Sequence, residues 1–121
     1  MKVKINTKEK FHVITFEEPI LSANMTENIR QTLLPCLKNS IKNVIVNFEN
    51  VQRIDVALAT ELLNIQKTFY EANCSMVLSN LSPEIENFLD EKKLLELMNT
   101  TPTETEAWDI VQMEEIEREL F

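Results

Sequence analysis

Polar and apolar residues alternate through "KVKIN", and "FHVITF" after it is dense in β-branched and aromatic side chains, so the first 17 residues predict two strands. The polar bridge "TKEK" between them is short enough for a hairpin. "EEPILSA" then leads into a helix that Asn24 can cap, with Glu27 three residues on as its partner in a capping box. Ile29, Leu33, Leu34 and Leu37 follow at helical spacing, and Pro35 sits awkwardly near the end of that run. "NVIVNF" is almost continuously apolar, as a central strand covered on both faces should be. From Ala57 to Ala72 the period is helical again: Leu58, Leu62, Ile65 and Phe69 form one stripe, which Ala59, Leu63 and Tyr70 widen. "CSMVLS" predicts a further strand, and Ser82 before Pro83 marks the start of another helix. That helix runs into "IENFLDEKKLLELM", which should close with a turn and a last short strand near "LLELM". After Pro102, Thr103 and Glu106 frame a second capping box. The terminal helix predicted there, about 103–120, places Trp108, Ile110, Val111, Glu114, Ile116 and Leu120 along one side. Strands alternating with helices in this order predict an α/β fold, a mixed β-sheet packed with about four helices in a single domain over 1–121.

Composition narrows the chemistry. Hydrophobic residues are 44% and charged residues 26% of the chain, the balance of a soluble globular protein. No apolar run approaches the roughly 20 residues a membrane helix needs, and "MKVKINTKEKF" has no signal-peptide core, so a cytoplasmic location without membrane insertion is expected. A net charge of −8 repels phosphate backbones and argues against nucleic acid as a partner. The basic cluster Lys2, Lys4, Lys8 and Lys10 reads as the solvent side of strands, and the acidic "MEEIEREL" as a solvated helix face. Glycine is absent, which removes P-loops, dinucleotide-binding turns and nucleophile elbows in their usual forms. Cys36 and Cys74 form no CxxC pair and read as buried thiols. His12 is the only histidine and has no ligand cluster around it, so it reads as structural and no metal or other cofactor is expected. No nucleophile–base pair stands out, so the chain does not read as an enzyme.

Within this pattern, "NVIVNFENVQRIDVALATELLNIQKTF" resembles the strand, loop, "DSSGL" turn and following helix of the STAS family, the domain of bacterial anti-sigma factor antagonists and of sulfate-transporter tails. "LSANMTENIRQTL" resembles the helix after that family's second strand, and "TPTETEAWDIV" is similar to its C-terminal helix, so the resemblance spans most of the chain. It implies a protein partner, an anti-sigma factor with a serine-kinase-like fold, and a role in partner switching and transcription regulation. In the family, a serine or threonine in the turn is phosphorylated by that partner, which ends the complex. A phosphate there would meet the free N–H groups at a helix start and place a charge of about −2 in the docking surface.

Matched position by position, Asp55 stands for the family aspartate, Val56 and Ala57 for the two serines, and Leu58 for the glycine. Ala57 therefore occupies the acceptor position without a hydroxyl. Asn47 and Ser22 replace two further family aspartates. Thr60 is the nearest hydroxyl but should lie inside the helix, and Ser22 and Ser40 have no better claim. Asp55 also has a plain role as the helix N-cap, worth roughly 1 kcal/mol. The docking surface implied by the resemblance comprises Asp55, Val56, Ala57, Leu58 and Thr60. The alternatives are an accessory STAS subunit of an ABC-type transporter, or a ligand-sensing or scaffold module. An exposed strand edge or the last helix offers a route to a homodimer.

Overall fold

A computed structural model describes residues 1–120 of the chain. Strands β1 (Val3–Thr7) and β2 (Phe11–Phe16) form the N-terminal hairpin, antiparallel with Ile5 opposite Ile14. β2 then pairs in parallel with β4 (Asn43–Asn47), and β4 with β6 (Met76–Ser79). β6 in turn pairs in parallel with β7 (Thr100–Thr101), giving a five-stranded mixed sheet in the order β1-β2-β4-β6-β7. Two further strands, β3 (Ile20–Leu21) and β5 (Arg53–Ile54), make a separate parallel pair.

The helices are α1 (Thr26–Leu33), α2 (Val56–Glu71), α3 (Pro83–Glu91) and α4 (Glu104–Leu120). Strand alternation explains how they are distributed. Ile14 and Phe16 of β2, Val44 and Val46 of β4, and Met76 and Leu78 of β6 face one side and join one large core with Ile29 and Leu33 of α1, the α2 stripe, and Ile85 and Leu89 of α3. The intervening residues Phe11, Val13, Ile45 and Val77 face the other side, where Ala107 and Val111 of α4 complete a smaller cluster. The α/β architecture expected from the sequence is the one observed.

Several local expectations are corrected. The last strand is not at "LLELM": Leu95–Leu97 is a 3₁₀ turn, and the strand follows at Thr100–Thr101. Asn24 does not cap α1; Ala23–Met25 is a 3₁₀ turn that leads into it, and the capping-box contact to Glu27 is absent among the described hydrogen bonds. Pro35, which cannot donate a backbone N–H, coincides with the change from α1 to a 3₁₀ segment over Leu34–Lys38. Ser82 caps α3 through a 3.2 Å bond from the Ile85 N–H. Thr103 makes half of its predicted box, its hydroxyl accepting from the Glu106 N–H at 3.2 Å and contacting the Glu106 carboxylate.

Of the expected side of α4, Trp108, Ile110 and Val111 pack on the sheet, joined by Ala107, whereas Ile116 and Leu120 are exposed. Directional bonds pin the helix instead. Near its start, Glu104 accepts from the Asn47 amide at 3.1 Å and from the Trp108 indole at 3.2 Å. Further along, Glu115 accepts from the Asn43 amide at 2.6 Å and Arg118 donates to the Ser75 hydroxyl at 2.7 Å. Lys2, Lys4 and Lys10 are exposed as expected, while Lys8 sits 5.3 Å from the centroid of the Trp108 ring.

The absence of glycine is felt at two helix ends and, at Asn80 (φ 62°), just after β6. Asn73 and Lys93 take φ near 60° directly after α2 and α3. There the N–H groups of Cys74 and Leu94 reach back to the carbonyls of Phe69 and Leu89, both at 2.9 Å. These are Schellman closures, usually built on glycine, made with residues that must tolerate a left-handed backbone.

Candidate docking surface

The short β3–β5 ladder brings the entry to α1 against the entry to α2. Asp55 follows β5 in extended conformation (φ −92°, ψ 169°), so its side chain can turn back over the first turn of α2. Its Oδ1 accepts from the Leu58 N–H at 2.9 Å, the expected cap. Its Oδ2 accepts from the Ala23 N–H at 2.8 Å, 32 residues away in sequence. Its own N–H donates to the Leu21 carbonyl at 3.2 Å. One carboxylate thus serves two helical entries, and this is why Asn24 is not needed as a cap. Arg30 and Glu61, 3.5 Å apart, add a surface ion pair between α1 and α2.

Several apolar side chains are exposed around this joint. Ile20 is 50% and Val56 45% exposed, and Ala23 and Ala57 are exposed beside them. Ile20 was not among the sequence candidates, because its two-residue strand has no readable period. Leu58 is corrected: it is fully buried in the main core and is not accessible to a partner. Thr60 is exposed, but its hydroxyl donates to the Val56 carbonyl at 2.8 Å within the first turns of α2. Ser22 is bonded to the Asn24 side chain, and Ser40 is exposed just before β4. Asn47 lies outside this surface; it is 4% exposed, donates to Glu104 and accepts from the Glu49 N–H at 2.8 Å.

The remaining candidates have structural surroundings. His12 is nearly buried, with Nε2 donating to the Ile41 carbonyl at 3.0 Å and Nδ1 meeting the Thr7 hydroxyl at 2.9 Å. Both cysteines are buried and free, and burial pushes each thiol above its ordinary pKa, away from the reactive thiolate. Trp108 packs on Phe11 with centroids 5.3 Å apart. Among the described residues no three His, Cys, Asp or Glu side chains group as metal ligands, and no helix is long and apolar enough to cross a membrane.

A mixed five-stranded sheet with α1, α2 and α3 on one face and α4 on the other defines the class, an α/β domain. The chain belongs to the STAS domain family, whose model matches residues 2–107. Solved structures agree in fold. An anti-sigma factor antagonist (STAS) domain protein from Planctomyces limnophilus superposes with a TM-score of 0.76 at 19% identity, covering 91% of this chain and 97% of that one. The anti-sigma factor antagonist SpoIIAA in its unphosphorylated form gives a TM-score of 0.71 at 21% identity, covering 92% and 96%; that Bacillus protein has also been solved phosphorylated. The murine Solute Carrier 26 family member A9 anion transporter matches at 0.69 and 17% identity, covering 86% of this chain and 18% of that one. No curated protein sequence matches the chain.

Proposed function

We propose that the 121 residues act as one non-catalytic interaction domain in the cytoplasm. In this reading the domain docks a protein partner through Asp55, Val56, Ala57, Thr60 and the neighbouring Ile20. The partner is of the kind the family resemblance implies, an anti-sigma factor with a serine-kinase-like fold. By occupying that inhibitor the domain frees a sigma factor. The observation that carries the reading is the exposed apolar patch at the joined entries of α1 and α2, held by both oxygens of Asp55. A backbone held in this way needs little ordering on binding, which favours a docking surface.

The covalent switch is absent from this reading. Ala57 offers no hydroxyl at the position matched to the family acceptor. Thr60 is tied to the α2 backbone, so a kinase would have to open the first turns of the helix to reach it. The domain therefore stays in its binding-competent form, and control lies with the partner.

Capture from the native host tests both parts. Wild type should retain one kinase-like partner that Val56→Asp and Ala57→Asp lose, since each variant puts a charge in the patch without touching the core. Incubating wild type with that partner and ATP should leave its intact mass unchanged. Equal retention by both variants, or a stoichiometric phosphate, would refute the reading. A second reading, an accessory subunit of a transport machine, is prompted by the likeness to the transporter's STAS portion. It predicts a transporter ATPase in the same capture.

A further inference from the structure

The outward side of α4 is the part of the surface that the docking patch does not explain. Its 17 residues rise about 25 Å, whereas the five-residue β4 beneath spans about 17 Å. Glu104 bonds at the end of β4 and Glu115 at its start, so α4 runs against the strand and its last turn projects past the sheet. On the side away from Ala107 and Val111, Met113, Ile116 and Leu120 recur at intervals of three and four and form one stripe. Met113 is 55%, Ile116 56% and Leu120 73% exposed.

The outward charges that α4 itself carries have one sign. The inward-facing acids Glu104, Glu114 and Glu115 are all engaged, with Asn47 and Trp108, Tyr70, and Asn43 respectively. The outward acids Asp109, Glu117 and Glu119 have no ion-pair partner among the described residues. The one base of the helix, Arg118, turns inward to Ser75 and Glu115. A second copy of this face would bring acid against acid, and an anionic membrane would repel it.

We infer that this face of α4 is a second docking surface, and that it takes a basic amphipathic helix of a partner protein. The apolar stripe supplies the contact area and the acidic flanks select lysine or arginine on either side of the partner's own stripe. The bonds from Glu104, Glu114, Glu115 and Arg118 hold the helix in place before binding, so little ordering is required of it. The surface is independent of the patch at Asp55.

The probe is a synthetic helical peptide with leucines at i, i+3, i+4 and i+7 and lysines elsewhere, added to the full chain with labelled methionine methyl groups. Met113 on the stripe and Met25 beside the docking patch report the two surfaces separately. The Met113 signal should shift saturably and more weakly at high salt. Ile116→Ser with Leu120→Ser should weaken binding by about tenfold or more, with no change in unfolding midpoint, while Val56→Asp leaves it intact. Unchanged affinity in the double variant, movement of Met25 in place of Met113, or equal binding of a glutamate-for-lysine peptide would each overturn the proposal. So would a Met113 shift on protein concentration alone, which marks self-association, or on anionic vesicles.

Discussion

On one face of the sheet, Leu58, Leu62, Ile65 and Phe69 of α2 are buried against side chains from β2, β4, β6, α1 and α3. On the other, Ala107 and Val111 are the only buried residues of α4, and the ends of that helix are fixed by Glu104 with Asn47 and by Glu115 with Asn43. The first arrangement is strong and non-directional; area removed from water carries it. The second is weak in area and strict in geometry, because a hydrogen bond is lost within a fraction of an ångström. Burying α2 by one stripe leaves its first turn free to present Val56 and Ala57. Pinning α4 by polar bonds fixes which residues look outward without using its outer apolar positions.

Cavity-forming substitutions should separate the two faces most clearly. Leu62 is 1% exposed, and Leu62→Ala should lose about 2–5 kcal/mol in urea unfolding. Val111 is fully buried, yet Val111→Ala removes only two carbons on the thinner face and should lose about 1–2 kcal/mol at roughly 0.8 kcal/mol per buried CH₂. Equal losses would show that α4 is held by burial after all.

Asn43 tests the polar half of the comparison. Its amide nitrogen donates to the Lys10 carbonyl at 3.0 Å and to Glu115 at 2.6 Å, and its oxygen accepts from the Ser75 N–H at 2.7 Å. Asn43→Ala leaves that buried N–H without its side-chain acceptor and should destabilise by about 1–3 kcal/mol. A double-mutant cycle with Glu115→Gln should give a coupling of at least about 0.5 kcal/mol. Additive losses would mean that the Asn43–Glu115 contact does not hold the helix.

The same contrast explains what was legible in the sequence. The α2 stripe is legible because burial on one side imposes a period, and the β2 and β4 runs because burial on both faces fills them with apolar and β-branched side chains. The β3 and β5 strands are two residues each, too short for any period, yet they bring Ala23 to Asp55. Asn24 looked like a cap because capping rules are local, whereas the acceptor that reaches this entry comes from another element. The last strand was misplaced because Thr100 and Thr101 pair with Leu78 and Ser79 by position beside β6, not by an apolar pattern of their own. In "MEEIEREL", a solvated face was expected, but Glu114 and Glu115 point inward to bond while Ile116 and Leu120 point out. Composition alone does not tell a bonded carboxylate from a hydrated one. Of the candidates placed by motif position, Asp55, Val56, Ala57 and Thr60 reach the surface, whereas Leu58 is buried, because the matched family residue, glycine, has no side chain to bury.

Tyr70 joins the two faces and gives the smallest predicted effect. From α2 it donates to Glu114 of α4 at 2.8 Å and accepts from the Asn99 amide at 2.6 Å. Burial first, and then the Glu114 carboxylate, push its phenol well above the ordinary value of 10.0. The folded chain therefore keeps a proton that the unfolded chain releases near pH 10. The resulting stabilisation is complete below that pH and is lost as pH rises toward the folded value. Tyr70 is the only tyrosine, so ultraviolet absorbance reads its ionisation directly. Phenolate should appear in the folded protein only above the usual range, and the stability advantage over Tyr70→Phe should shrink as pH rises beyond 10. Ionisation at the ordinary pH with the fold intact would mean that α2 and α4 are not joined through this bond.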